Sequence, residues 1–176
     1  KTADRSGFCR RFQTDWPPFQ TRRVLFLPNP RERNLHMKSR HESREQAFVL
    51  LFEKTVNDDP MADIIEMAVE ARGIEMDEYC EKLTSLTELY LEQIDAEIEA
   101  NLRGWSLRRL SRMTLTILRV AVCEMKFMKA PDVPVSVSIN EAVELAKVYG
   151  NEKDAAYVNG VLSSIAKSLD GAEQHA

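Results

Sequence analysis

The chain has 176 residues, 24 Lys and Arg against 28 Asp and Glu, and a formal net charge of −4. This length fits one ordinary domain with its own core, and no apolar run of about 18 residues exists that would cross a membrane. Its three cysteines have no C-x-x-C or Cys/His spacing, which argues against a metal site and favours a reduced, cytoplasmic setting.

The first 36 residues differ in composition from the remainder. They contain four of the seven prolines and eight Lys and Arg against three Asp and Glu, so their charge is +5 and that of residues 37–176 is −9. Because they lack helical periodicity and Met37 follows directly, we interpret residues 1–36 as a non-native, disordered or upstream-translated extension. A targeting peptide and a basic RNA-binding arm are the alternatives. Residues 37–176 are the predicted domain.

From residue 38 onward the apolar residues recur at helical spacing, and no segment sustains an alternation of period two. The pattern therefore predicts an all-α fold. The predicted helices are Glu42–Val56, Met61–Ala71 with Gly73 as its stop, Asp77–Leu102 as one helix or a broken one, Leu107–Met128, and one helix on each side of Gly150.

The last of these segments contains the most specific local pattern. Ser138 and Glu141 have the S-x-x-E spacing of a capping box, in which each side chain bonds a backbone N–H of the first turn. Gly150 is placed where a left-handed stop ends a helix. Either Asn151 or Asp154 can cap the helix that follows.

Cationic, aromatic and amide side chains gather around this turn. They are Lys147, Tyr149, Lys153, Tyr157 and Asn159. Unpaired RNA bases stack on aromatic rings while cations hold the backbone, so the cluster is typical of a single-stranded RNA site. Ordinary packing of amphipathic tyrosines at helix ends is the alternative, and Gly160 next to Asn159 is compatible with close helix packing.

Three stretches resemble the NusB family of bacterial transcription antitermination factors. They are INEAVELAKVYG followed by YVNGVL at residues 139–150 and 157–162, REQAFVLLFE at 44–53, and WSLRRLSRMTLTILRVAVCEM at 105–125. The resemblance runs from about residue 37 to 169. It implies a compact domain of about six to seven helices in two packed helical sub-bundles.

The resemblance also implies a function and partners. NusB proteins bind boxA RNA of ribosomal RNA leader transcripts together with the small-subunit ribosomal protein NusE, as part of an RNA polymerase antitermination complex. Some members dimerise, so a homodimer is one further state that the resemblance allows. An accessory domain of an RNA methyltransferase and a protein–protein adaptor without RNA binding are the alternative interpretations.

The same resemblance assigns an RNA-binding role to basic residues at the head of the first helix. Arg40 and Arg44 are the positions carried over, and Lys38 belongs to the same predicted RNA-binding cluster, although Ser39 and His41 interrupt the family's richer arginine run. Cations are unfavourable at a helix N-terminus, which favours a function over a merely solvated helix start. Phe52 is interpreted as a core residue.

Two more charged positions complete the predictions. Glu124 is a candidate contact for the basic ribosomal partner. Arg119 is assigned to an internal ion pair with Glu124, Glu141 or Glu144. The sequence has no P-loop, dinucleotide-binding, nucleophile-elbow or H-E-x-x-H motif, so no enzymatic activity, metal or cofactor is expected.

Overall fold

The computed structural model describes residues 38–57, 59–102, 104, 106–128 and 133–173, and these belong to one unit that begins at Lys38. Within those ranges the regular structure is entirely helical. The helices are α1 (Arg40–Asn57), α2 (Met61–Arg72), α3 (Glu78–Leu89), α4 (Leu91–Asn101), α5 (Arg112–Val122), α6 (Val135–Tyr149) and α7 (Glu152–Glu173), with a 3₁₀ turn at Leu107–Arg109 and a π-helical segment at Cys123–Met128. The predicted all-α class is confirmed, and the interpretation of residues 1–36 lies outside the described residues.

The helices pack in two groups that share α5. One group joins α1 to α2 and α3, and the other joins α7 to α4 and α6, while α5 contacts members of both. The apolar stripe of α5 is therefore buried on several sides, and Ile117, Leu118 and Val122 are almost completely enclosed. Among the described residues, no helix is both long and apolar enough to cross a membrane.

The third predicted helix is broken, as the sequence allowed. Tyr90 separates α3 from α4 with backbone angles that leave the α-helical region, at φ −105° and ψ 20°. Its ring stacks on Phe127 at a centroid distance of 4.4 Å. The predicted Leu107–Met128 helix is also divided, because Ser111 caps a new helix by accepting a hydrogen bond from the Thr114 N–H at 3.0 Å.

The capping box lies at the start of α1 and not at Ser138 and Glu141, where it was predicted. The Ser39 N–H donates to Glu42 Oε2 at 2.8 Å and the Glu42 N–H donates to Ser39 Oγ at 3.3 Å, which caps α1. The prediction for Ser138 is wrong, because α6 already begins at Val135 after Pro134. Ser138 is therefore inside the helix, and its buried Oγ has no hydrogen-bond partner among the described residues.

The turn between α6 and α7 confirms one prediction and corrects another. Asn151 Oδ1 accepts hydrogen bonds from the backbone N–H groups of Lys153 and Asp154 at 2.9 and 3.1 Å, so Asn151 caps α7. Gly150 is not left-handed, because its φ is −110°. A glycine is needed there because a Cβ atom would lie 2.8 Å from the Ala146 carbonyl oxygen and 2.9 Å from Asp154 Oδ2.

The described cysteines are packing residues. Cys80 and Cys123 are free thiols and both are completely buried. Burial raises the pKa of the Cys80 thiol to about 12 and that of the Cys123 thiol to about 11. Both thiols are therefore protonated and poorly nucleophilic at neutral pH.

Two glycines provide a matched test of this packing. We expect Gly150→Ala to lower the free energy of unfolding by about 1–3 kcal/mol, because the added methyl group meets a backbone carbonyl that cannot move aside. Gly160→Ala meets nothing within 4 Å in the interior of α7, so it should raise stability by about 0.5–1 kcal/mol. Urea denaturation of both variants is the measurement, and equal effects would contradict the steric argument.

Candidate nucleic-acid interface

The head of α1 carries the predicted basic residues, but they face different directions. Lys38 Nζ donates to Gln46 Oε1 and to the carbonyl oxygen of Glu75 in the α2–α3 loop. Arg40 is exposed, and its guanidinium carbon lies 4.3 Å from the centroid of the Tyr79 ring. This distance is within the range of a cation–π contact. The first turn of α1 is thereby attached to α3.

Arg44 is an interior residue. It is only 4% exposed, its Nε donates to Glu124 Oε1 at 2.7 Å, and one terminal nitrogen donates to the Tyr79 hydroxyl at 3.2 Å. Glu124, on the π-helical segment, is also 4% exposed and accepts from the same hydroxyl. The prediction that Arg44 contacts RNA and Glu124 a partner is therefore corrected, because their charged groups face each other inside the domain.

The Tyr79 hydroxyl, which is bonded to both Arg44 and Glu124, stays neutral. Burial, the hydrogen bond to Glu124 and the negative charge of Glu124 all raise the pKa of the Tyr79 hydroxyl well above its ordinary value, against the lowering influence of Arg44 and Arg40. Tyr79 is thus a hydrogen-bond donor at physiological pH. The arrangement fixes the ring both by its hydroxyl and by the packing around it.

A second set of contacts joins α1 to α6. His41 Nδ1 lies 2.7 Å from Glu141 Oε2, and the Tyr149 hydroxyl donates to Glu45 Oε1 at 2.8 Å. The Tyr149 ring packs on Phe48 with a centroid distance of 4.8 Å. Burial, followed by the charge of Glu45 and the hydrogen bond to it, raises the pKa of the Tyr149 hydroxyl. Tyr149 as a whole is partly exposed.

Two of the predicted C-terminal residues line an open groove between α6 and α7. Lys147 and Asn159 line this groove, whose volume is about 580 Å³, together with Val143, Ala155 and Ala156. Lys147, Lys153 and Asn159 are exposed. Lys147 Nζ also lies 2.7 Å from Glu144 Oε1, but both side chains remain about half exposed, so this ion pair is weak and easily exchanged.

The two tyrosines of the predicted cluster do not share one surface. Tyr149 packs against α1. Tyr157 is half-buried in a different cleft, beside Asn101 of α4 and Gly160 of its own helix. The expectation that both rings stand together around the turn is therefore corrected, because they lie on different sides of the α6–α7 pair. A Cβ atom added at Gly160 would contact nothing within 4 Å. The expectation that Gly160 permits close helix packing is therefore wrong.

Three residues that form contacts at the head of α1 could not be identified from the sequence. They are Tyr79 of α3, Glu45 of α1 and Glu141 of α6, which contribute side-chain contacts between the first turns of α1 and neighbouring helices, and no sequence spacing connects them.

Arg119 does form the predicted internal ion pair, but with Asp95 of α4, through two contacts of 2.7 Å. Phe52 packs against the core beside Phe48, as expected.

Within the described residues the chain is an all-helical domain whose exposed cations include Arg40, Lys147 and Lys153. Residues 41–167 match the profile of the NusB family. The transcription antitermination protein NusB of Clostridium novyi is 40% identical over 134 residues, which cover 74% of this chain and 99% of that protein. The NusB of Listeria monocytogenes is 41% identical over 127 residues, covering 72% of this chain and 95% of that protein.

Solved structures agree with the sequence matches. The solved structure of T. maritima NusB is 34% identical with a TM-score of 0.66, covering 75% of this chain and 93% of that one. A crystal structure of the antitermination factors NusB and NusE in complex with dsRNA gives 31% identity and a TM-score of 0.67, covering 76% of this chain and 99% of that one. The chain belongs to the NusB family.

The interior ion pair makes a stability prediction. Arg44→Met leaves Glu124 charged and buried without its cation, so we expect the free energy of unfolding to fall by about 3–5 kcal/mol. Adding Glu124→Gln removes that stranded charge and keeps an acceptor for Tyr79, so the double variant should lose less than the single one. Urea denaturation measures both.

The control for this experiment is an ion pair at the surface. Lys147→Met breaks the exposed contact with Glu144 and should change stability by less than about 1 kcal/mol. A loss in Arg44→Met as small as that of Lys147→Met would show that the interior pair does not hold α1 to the π-helical segment.

Proposed function

We propose that this chain is a transcription antitermination factor that binds boxA RNA of ribosomal RNA leader transcripts together with the ribosomal protein NusE. In this proposal it acts in the cytoplasm, within an RNA polymerase antitermination complex, and catalyses no reaction. The observation that carries the proposal is the match to 99% of the length of the C. novyi antitermination protein at 40% identity. The solved complex of NusB and NusE with dsRNA supports both partners.

The proposed RNA surface consists of groups from two parts of the domain. Exposed Arg40 and partly exposed Lys38 lie at the head of α1, and exposed Lys147, Lys153 and Asn159 lie along the α6–α7 turn. Tyr149 and Tyr157 remain partly exposed, so each is proposed as a separate stacking position. Arg44 and Glu124 are not in this set; they support the head of α1 from inside.

The charge of the domain favours a small site over general nucleic-acid binding. Residues 37–176 carry a balance of −9, so most of the surface repels phosphate. Only the places where exposed cations gather can attract an RNA backbone. An adaptor without RNA binding would have no need for such a gathering, and an accessory domain would not match its relatives over nearly their whole length.

The proposal is tested by fluorescence anisotropy with a single-stranded boxA RNA, over a range of salt concentrations, with and without NusE. Binding should weaken by about 0.7 log units per log unit of salt for each phosphate contact. Lys147→Gln and Lys153→Gln should each lower that slope by about 0.7 if each lysine holds one phosphate.

The matched control is Lys54→Gln, at the opposite end of α1, where the lysine pairs with Glu88 at 2.9 Å. It removes the same charge far from the proposed surface and should leave the slope unchanged. Absence of salt-dependent binding in the presence and absence of NusE would favour the adaptor interpretation. An equal decrease in all three variants would place the RNA elsewhere.

A further inference from the structure

The proposed function includes Arg40 but does not use its contact with the Tyr79 ring. Several neighbouring groups hold that ring in place. Tyr79 is 8% exposed, and its hydroxyl is held on both sides, by Glu124 as acceptor and by Arg44 as donor. The guanidinium carbons of Arg40 and Arg44 lie 4.3 and 5.4 Å from its ring centroid. The Tyr79 ring therefore keeps its position when the Arg40 side chain moves.

We propose that Arg40, supported by the Tyr79 ring, is a stacking platform for one unpaired RNA base, and that Tyr79 is the positioning residue of this platform. The inference rests on the proposed RNA-binding function and specifies how one of its residues works. The resemblance gave Arg40 an RNA-binding role without specifying the part of the RNA that it contacts. The structure favours a base for two reasons.

The first reason is the local charge. The N-terminal amide of Ser39 is occupied by the carboxylate of Glu42, at 2.8 Å from nitrogen to oxygen. The end of α1 that would otherwise attract a phosphate therefore already contains an anion. Lys38, the neighbouring cation, directs its ammonium group toward Gln46 and the Glu75 carbonyl. The helix end therefore adds no attraction for a phosphate, whereas stacking of a base on the Arg40 plane does not depend on that helix end.

The second reason is the preorganisation of Arg40. An exposed arginine normally loses rotamer freedom when it binds, which reduces affinity. Contact with a fixed aromatic ring limits that freedom before RNA arrives. A guanidinium plane is also a surface on which nucleobases stack, and a lysine ammonium is not. The chemistry at this corner thus suits a planar, uncharged ligand group.

The support for the ring extends into the core. Glu124 belongs to the π-helical segment and Arg44 to the buried side of α1. Together they hold the Tyr79 hydroxyl, and the ring in turn holds Arg40 at the surface. The interior ion pair therefore affects RNA binding through Tyr79, although neither charged group reaches the RNA.

The experiment uses a set of boxA RNA oligonucleotides that each contain one abasic nucleotide, with affinity measured by fluorescence anisotropy at one salt concentration. Loss of a stacked base should weaken wild-type binding about 5- to 100-fold at one position. In Arg40→Lys, which keeps the charge but not the plane, this penalty should shrink to about twofold or less. The salt slope of Arg40→Lys should match that of the wild type.

Tyr79 is tested in the same assay. Tyr79→Leu removes the ring and should abolish the abasic penalty at the same position, whereas Tyr79→Phe keeps the ring and should retain most of it. Tyr90→Leu is the matched control, because it removes another half-buried ring, stacked on Phe127. Its penalty should equal that of the wild type. Arg40 is exposed, so Arg40→Lys carries the test even if Tyr79→Leu does not fold.

The outcomes separate the two proposals. If the wild-type chain binds no boxA RNA, with or without NusE, the proposed function fails and the platform fails with it. If the wild type binds but every abasic penalty is unchanged in Arg40→Lys, the platform is overturned and the function stands. A salt slope that falls in Arg40→Ala but is restored in Arg40→Lys, with no position-specific penalty, would instead assign Arg40 to a phosphate.

Discussion

The buried ion pair between Arg44 and Glu124 is the constraint on which the head of α1 depends. Two charges removed from water are stable only when they meet at good geometry and their remaining polar atoms are bonded. The 2.7 Å contact and the Tyr79 hydroxyl meet that requirement. Because these charges come from α1 and the π-helical segment, pairing them fixes where the first turn of α1 lies. The exposed residues of that turn are positioned as a consequence.

The charge of the domain is unfavourable for phosphate as a whole, because residues 37–176 carry a balance of −9. Arg40, Lys147 and Lys153 are exposed cations near the head of α1 and the α6–α7 turn. Many of the charged side chains among the described residues are engaged with each other, as in the Arg119–Asp95 and Lys126–Glu97 pairs. Charge counts therefore overestimate how much of the positive charge is available to a ligand. The position of each cation in the fold decides whether it can contact a ligand.

The sequence predicted the class and most helix positions, because apolar periodicity reports directly on the buried face of a helix. It assigned the S-x-x-E pattern to Ser138 and Glu141, when an identical pattern at Ser39 and Glu42 forms the cap; a short motif cannot show which copy lies at a helix end. Arg44 could not be placed, since its partner Glu124 is 80 positions away and only folding brings them together. Local rules find elements, and long-range contacts decide which side chains are exposed.

The tight connection between α6 and α7 fixes how these two helices are placed relative to each other. Its glycine has no room for a side chain and its asparagine caps the next helix at once, so the link cannot readily lengthen or tilt. Lys147 and Lys153 lie three residues before and after Gly150, so the connection fixes the relative placement of the backbone at these two exposed cations. A single residue inserted here would leave composition and net charge almost intact, yet it would rotate and shift α7 relative to α6. In the proposed function, such an insertion would also change the separation between two groups assigned to the RNA surface.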